Sequence, residues 1–236
     1  MRQKIQILLG LAIFITACRV AYIFYSRHES QVATAAQPSS PALNPDYYVT
    51  PRKLYPYDLK SARALSQQPV WVKVGYSIAY FPYDRSSRRV DFSHQAGLLL
   101  PIERLEIKDV VVVASNRAKE PRQLMALFVK QDKTCAFSIG SVENDEYHIA
   151  SDEMLFIEDP HKLYGHWPAP IWDAIDKHQV KVGMNELQAD FAVGMGVPQS
   201  GDETDKTVEY PDGGTPLLVS YHAGKAIEVK PGAPAS

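Results

Sequence analysis

Short strand-forming runs at close spacing between residues 70 and 158 limit the fold of this chain more than any other feature. They are VWVKVGYSIAYF, LLLPIERLEIKDVVVV, QLMALFVK, TCAFSIGSV, EYHIA and EMLFIE. The runs are rich in β-branched and aromatic residues, and no long helical period lies among them. About five to seven short strands joined by short turns predict a small barrel or sandwich.

The turns between these runs also carry information. Gln131-Asp132-Lys133 forms a polar, hairpin-length connection between two of the runs. This tight spacing resembles the layout of an SH3-like barrel. The resemblance implies a small all-β SH3-like domain over residues 51–163. Before its strands, the run LYPYDLKSARA at residues 54–64 predicts a turn and one short helix.

The periodicity becomes helical after residue 163. Ile171, Trp172 and Ile175 recur at helical spacing after two prolines, which predicts one amphipathic helix. In a second run, GMNELQADFAVGMGVPQ, Asn185 is an N-cap with Gln188 three residues later. That run predicts a second helix.

The second helix has a predicted apolar face and a predicted end. Leu187, Phe191 and Met195 fall at i, i+4 and i+8, so they would share one face. Glycines 194 and 196, followed by a proline, would terminate the helix. Three strand-like runs follow, TVEY, TPLLVSY and KAIEV, and they complete an ααβββ unit over residues 164–230. The predicted fold class of the whole chain is therefore α+β.

This C-terminal unit resembles the BamE/SmpA/OmlA-type domain of bacterial envelope lipoproteins. The resemblance covers residues 166–229 and rests on Val180, Gly183, Met184, Gln188, Gly196, Pro198 and Tyr210. Most of these positions are structural in that family, which shares its two-helix, three-stranded layout with protein-binding inhibitor domains. The resemblance therefore implies a fold and an envelope location.

The N-terminus has the pattern of an export signal or membrane anchor over residues 1–25. MRQK is a positive segment, and IQILLGLAIFIT is the apolar segment that follows it. The tetrapeptide ITAC resembles a bacterial lipobox, in which Cys18 would be lipidated. Alternatively, residues 5–25 together reach the ~20 residues of a membrane-spanning helix. Both interpretations predict a bacterial membrane-anchored protein whose folded part is extracytoplasmic, in the periplasm or at the cell surface.

Two segments have the composition of flexible chain, one as a linker and one as a tail. Residues 26–50 are rich in alanine, serine, glutamine and proline, which predicts a flexible spacer. Residues 231–236 have the same character and predict a frayed tail.

Charge and cysteine content exclude several function classes. The net charge is −2, with no long run of one sign, so the sequence lacks the basic surface that nucleic-acid binding requires. Only Cys18 and Cys135 are present, which rules out a disulfide framework. The chain carries no phosphate-binding glycine loop or dinucleotide fingerprint, and we expect no cofactor.

Two sets of residues resemble reactive sites. Ser77 lies in GYSIA, which mimics a nucleophile elbow but is not followed by a helix. His161 and His166 lie near Asp152 and Glu158 in sequence, and these residue types bind divalent metals. A metal-dependent or hydrolytic envelope enzyme is thus an alternative function, and it requires these side chains to converge.

Aromatic residues provide the binding candidates. They are Tyr55, Tyr57, Trp71, Tyr76, Tyr80 and Tyr83. Tyrosine and tryptophan are enriched at protein interfaces. The sequence therefore predicts a non-enzymatic binding or assembly module whose partner is an envelope protein or a cell-wall component. The remaining alternative is a purely structural tether.

Overall fold

The structure is a computed structural model of the 236-residue chain, and it describes residues 19–22, 44–75, 78–115, 120–211 and 216–232. The chain divides into two compact units, Met1–Tyr48 and Val49–Ser236. The described part of the first unit includes the 3-10 helix η1 (Pro45–Tyr48). No helix within the described ranges is long and apolar enough to cross a membrane. Apart from residues 19–22, the predicted anchor lies outside those ranges.

The described part of the second unit contains fourteen strands and six short helical segments. The strands are β1 (Val70–Val72), β2 (Ile78–Asp84), β3 (Arg89–Val90), β4 (Gly97–Leu99), β5 (Arg104–Leu105), β6 (Asp109–Val113), β7 (Arg122–Lys130), β8 (Lys133–Glu143), β9 (Glu146–Ile149), β10 (Leu155–Phe156), β11 (Val197–Gly201), β12 (Lys206–Tyr210), β13 (Leu217–His222) and β14 (Lys225–Pro231). The helical segments are α1 (Leu59–Ala62), η2 (Arg63–Gln67), α2 (Ser151–Met154), α3 (Pro160–Leu163), α4 (Ala169–Ile175) and α5 (Glu186–Val193). This composition confirms the α+β class.

The largest sheet has seven strands and apolar residues on both faces. Its main path is β3-β2-β8-β7-β6, with β4 paired to β2 and β9 paired to β8. The hairpin predicted at residues 131–133 is confirmed, because Lys130 pairs with Lys133 across the turn. Along β7, Leu124 and Phe128 pack in one core, while Met125 and Leu127 pack in a second cluster on the opposite face. The buried Cys135 of β8 belongs to the first core.

A three-stranded sheet, ordered β10-β1-β5, lies between two cores. Val70 and Val72 of β1 pack with the large sheet, whereas Trp71 packs on the core of the C-terminal helices. This follows from the two-residue period of a strand, because successive side chains point to opposite faces. The predicted domain boundary at residue 163 falls at the end of α3, within the compact second unit.

The C-terminal elements follow the predicted order with one addition. Asn185 caps α5 in a capping box with Gln188, as predicted. The helix then ends at Gly194, whose φ of 95° favours glycine. Met195 therefore lies beyond the helix and is 58% exposed, so its predicted place on the apolar face is wrong.

The C-terminal sheet has four strands instead of the predicted three. β11 pairs antiparallel with β12 and adds a strand at the edge. Upstream, the run EMLFIE is also not one strand, because α2 occupies its first two residues before β10 begins.

Candidate functional site

The strongest candidate site is an extended segment that connects the linker to the folded unit, residues 51–58, which we call the tyrosine strap. Its first half is held by an ion pair. The Arg52 backbone N–H donates to Glu158 Oε2 at 2.7 Å, and Arg52 Nε donates to Glu158 Oε1 at 2.8 Å. These contacts hold the pKa of Glu158 below its ordinary value.

The second half of the strap is held by packing and by a helix cap. Leu54 packs against the core of the large sheet. Asp58 begins α1, and its side chain accepts a hydrogen bond from the Ser61 backbone N–H at 2.7 Å. The Ser61 hydroxyl also donates a hydrogen bond to the Asp58 carboxylate, and this bond lowers the pKa of the Asp58 carboxyl. The chain on each side of Tyr55 and Tyr57 is therefore anchored.

Tyr55 and Tyr57 project from this anchored segment into solvent. Their exposed fractions are 72% and 78%. Pro56 lies between them and fixes its own φ, and it also restricts Tyr55 to extended conformations. A tyrosine ring offers a large contact area and loses few rotamers on binding. The strap thus holds two exposed aromatic side chains on an anchored backbone.

The other predicted binding residues have different surroundings. Trp71 is half-buried against the C-terminal core. Tyr80 meets Phe128 edge to face at 5.5 Å, and Lys130 Nζ lies 5.2 Å from the Tyr80 ring centre. Tyr83 packs against the cluster on the second face of the large sheet. Tyr76 lies outside the described residues, as do Ser77 and Cys18. For all of these, binding or lipidation stays a prediction.

The residues of the enzyme alternative do not form one site. The His161 ring lies between two carboxylates, Asp159 Oδ1 and Asp176 Oδ1, each at 3.1 Å from a ring nitrogen. It stacks on Trp172 at 4.1 Å between ring centres. Glu158 instead pairs with Arg52, and His166 lies beside aromatic rings.

Metal binding has no further support in these contacts. Within the described residues, no three or more histidine, cysteine, aspartate or glutamate side chains are placed to hold a metal ion. The described partners of the His161 side chain are two carboxylates and a stacked indole.

A buried polar cluster in the C-terminal core was not predicted. The hydroxyls of Tyr210 and Tyr221 lie 2.7 Å apart, and Asp190 accepts a hydrogen bond from the Gly196 N–H at 3.4 Å. Burial raises the pKa of Asp190 to about 7, and Glu186 adds to this rise. Burial also raises the pKa of both tyrosines. The signal in the sequence is a carboxylate at position 190 directly before Phe191, a residue of the predicted apolar face.

The residues that carry the envelope-lipoprotein resemblance are mainly packing residues here. Met184 and Tyr210 are fully buried, Gln188 completes a helix cap, and Gly196 lies against Val208. Comparison with known proteins adds no relative, because no family model, curated protein or solved structure matches the chain.

Proposed function

We propose that this protein is a membrane-tethered, extracytoplasmic binding module of the bacterial envelope that acts without catalysis. The observation that carries the proposal is the anchored strap with its two exposed tyrosines. Isolated exposed apolar groups are common on protein surfaces. Two aromatic rings on a segment fixed at both ends are instead typical of binding surfaces, because little entropy is lost on binding.

The tether is the second part of the proposal. A positive segment followed by an apolar segment precedes the folded unit, and the proline- and serine-containing residues 26–50 would act as the spacer. We propose that residues 1–25 hold the protein at the membrane, either as a spanning helix or through lipidated Cys18. The SH3-like and BamE-like resemblances support the same role, since both imply protein-binding folds.

Site-specific photo-crosslinking in the native host tests the binding role. Benzoylphenylalanine is placed at position 57, and at position 227 as a control, since Ile227 is similarly exposed on β14. We expect a discrete adduct from position 57 that is lost when Tyr55→Ser is added. Equal labelling from the two positions, or no adduct from position 57, would argue against the strap as a binding surface.

Intact mass of the protein purified from native membranes tests the tether. A mature chain that begins at Cys18 and carries added acyl mass, absent from Cys18→Ala, would establish a lipoprotein. A full-length unacylated chain in the membrane fraction would establish a spanning anchor. Recovery of the full-length chain from the soluble fraction would contradict the tether.

A further inference from the structure

A groove separate from the exposed tyrosines lies around β6, the last strand on the main path of the large sheet. It has a volume of about 650 Å³, and its apolar lining includes Leu59, Val111, Val113 and Leu127. Tyr83, a predicted binding residue, lines the groove as well. An apolar lining of this kind can accept alternate side chains of an extended ligand.

One edge of the strand that borders the groove has no strand partner among the described residues, and η2 contacts the Val110 end of that edge. Among the described strands, β6 pairs only with β7. The Val110 backbone does not direct its polar groups at β7: its N–H donates to Asp109 Oδ1 at 2.8 Å, and its carbonyl accepts from Arg63 Nε at 3.4 Å. In an antiparallel strand, the backbone N–H and carbonyl groups of alternate residues point to the same edge of the strand. Val112 therefore directs its N–H and carbonyl toward the open edge.

The rim of the groove is positively charged. Arg63, Arg85, Arg88 and Lys108 line it, against a single carboxylate, Asp109. Arg63 pairs with Asp109 at 3.0 Å, and Lys108 pairs with Glu106 at 3.2 Å. Within the described ranges, neither Arg85 nor Arg88 makes a hydrogen bond or ion pair. These two arginines carry the uncompensated positive charge of the groove.

The turn that holds these arginines is well ordered by local hydrogen bonds. Asp84 Oδ1 accepts from the Ser86 N–H at 2.8 Å, and Asp84 Oδ2 accepts from the Ser87 hydroxyl at 2.6 Å. The pKa of Asp84 is lowered to about 2 by these bonds. Asp84 therefore stays ionised and able to accept these hydrogen bonds across the physiological pH range.

We propose that this groove binds an extended acidic peptide segment of a partner protein, which adds to β6 as a further strand. The Val112 backbone offers hydrogen bonds at the edge of β6, the valines offer an apolar surface, and the unpaired arginines select carboxylates. This inference goes beyond the proposed function, because it adds a second binding surface and states the chemistry of its ligand.

Fluorescence anisotropy with the full-length chain in detergent tests the proposal. The probe is a fluorescein-labelled peptide of alternating valine and glutamate, compared with the same peptide carrying lysine in place of glutamate. We expect binding of the acidic peptide only, with an affinity that falls as salt is added. Equal binding of both peptides would overturn the proposal.

Two variants locate the binding to the groove. Arg85→Glu combined with Arg88→Glu reverses two exposed charges, and we expect binding about tenfold weaker or worse. Lys177→Glu combined with Lys225→Glu makes the same change of charge on exposed residues outside the groove and should bind like the wild type. If both double variants lose the same affinity, the effect comes from net charge and the site is wrong.

The edge itself is tested by Val112→Pro, which removes an outward N–H without breaking a bond to β7. We expect it to weaken peptide binding while thermal unfolding still shows a folded protein. Unchanged binding would overturn strand addition, and a sulfated dextran that binds more tightly than the peptide through the same arginines would overturn the peptide assignment. Tyr55→Ser with Tyr57→Ser should leave this binding intact, so failure of the strap proposal and failure of the groove proposal remain distinguishable.

Discussion

Two pairs of tyrosines in this protein show how the same side chain serves different purposes. Tyr55 and Tyr57 are mostly exposed on an anchored strap, whereas Tyr210 and Tyr221 are 1% and 4% exposed and share a hydrogen bond. A buried tyrosine stabilises the fold when its hydroxyl has a partner. A mostly exposed tyrosine ring buries little surface and so contributes little to the fold, and the exposed pair on the anchored strap is the basis of the proposed binding role. Variants at Tyr210, at Gly196, at Asp190 and in the strap test this difference.

The largest effect is expected at Tyr210. Tyr210→Ala would leave a cavity in the C-terminal core and remove the hydrogen-bond partner of Tyr221. We expect a loss of about 3–5 kcal/mol in the free energy of unfolding, measured by denaturant titration. Tyr210→Phe keeps the ring and should cost only about 1–2 kcal/mol. Equal costs for the two variants would show that packing of the ring contributes little.

The next effect is expected at Gly196, which lies against the same tyrosine. A Cβ added here would overlap the Val208 side chain and come within 2.8 Å of the Tyr210 ring. Gly196→Ala should therefore cost about 1–3 kcal/mol, measured as a lower denaturant midpoint. Gly165→Ala is the control, because its Cβ would meet ordinary contacts of 3.4 Å and 3.5 Å. A smaller cost at Gly196 than at Gly165 would contradict this packing.

The partly buried carboxylate of Asp190 predicts a pH effect of intermediate size. Its folded-state pKa of about 7 is above the usual ~3.9, so the folded state holds this proton more tightly. The contribution of Asp190 to the free energy of unfolding therefore falls as pH rises between about 4 and 7, by at most about 1.4 kcal/mol per unit.

Asp190→Asn removes this contribution while Glu186, Lys206, Tyr210 and Tyr221 around it remain. We expect the stability of the variant relative to the wild type to increase from pH 5 to pH 8, as measured by chemical denaturation at each pH. A constant difference across this range would show that the carboxylate does not titrate there.

The smallest effect on stability is expected in the strap. Tyr55→Ser with Tyr57→Ser should change the free energy of unfolding by less than about 0.5 kcal/mol, because both rings are mostly exposed. Thermal unfolding monitored by circular dichroism measures this. A loss of several kcal/mol would mean that the strap tyrosines are packing residues like Tyr210, and the comparison would fail.

Local sequence patterns predicted much of the fold. The capping pair Asn185 and Gln188 marked the start of α5, and the polar turn at 131–133 marked the β7–β8 hairpin. These signals act within a few residues and need no tertiary contacts. The end of α5 was placed too late, since the apolar spacing continued to Met195 although Gly194 had already ended the helix.

The sites depended on contacts that sequence spacing does not reveal. Tyr55, Tyr57 and Tyr80 are the same residue type, and the sequence alone does not show which of them is exposed. The structure distinguishes Tyr80 by its packing on Phe128. Arg85 and Arg88 line the β6 groove although their turn and β6 are distant in sequence. Asp190 was missed for a related reason, since its burial depends on the sheet that packs over α5.

Tyrosine nitration tests the central claim most directly, with the reaction performed on the purified protein and on intact envelopes and read by peptide mass spectrometry. The purified protein should be nitrated at Tyr55 and Tyr57 and spared at Tyr210 and Tyr221. In intact envelopes, nitration of Tyr55 and Tyr57 should fall several-fold, while Tyr47, exposed in the other unit, reports access of the reagent. Equal nitration of the strap in both preparations would contradict its role as a binding surface.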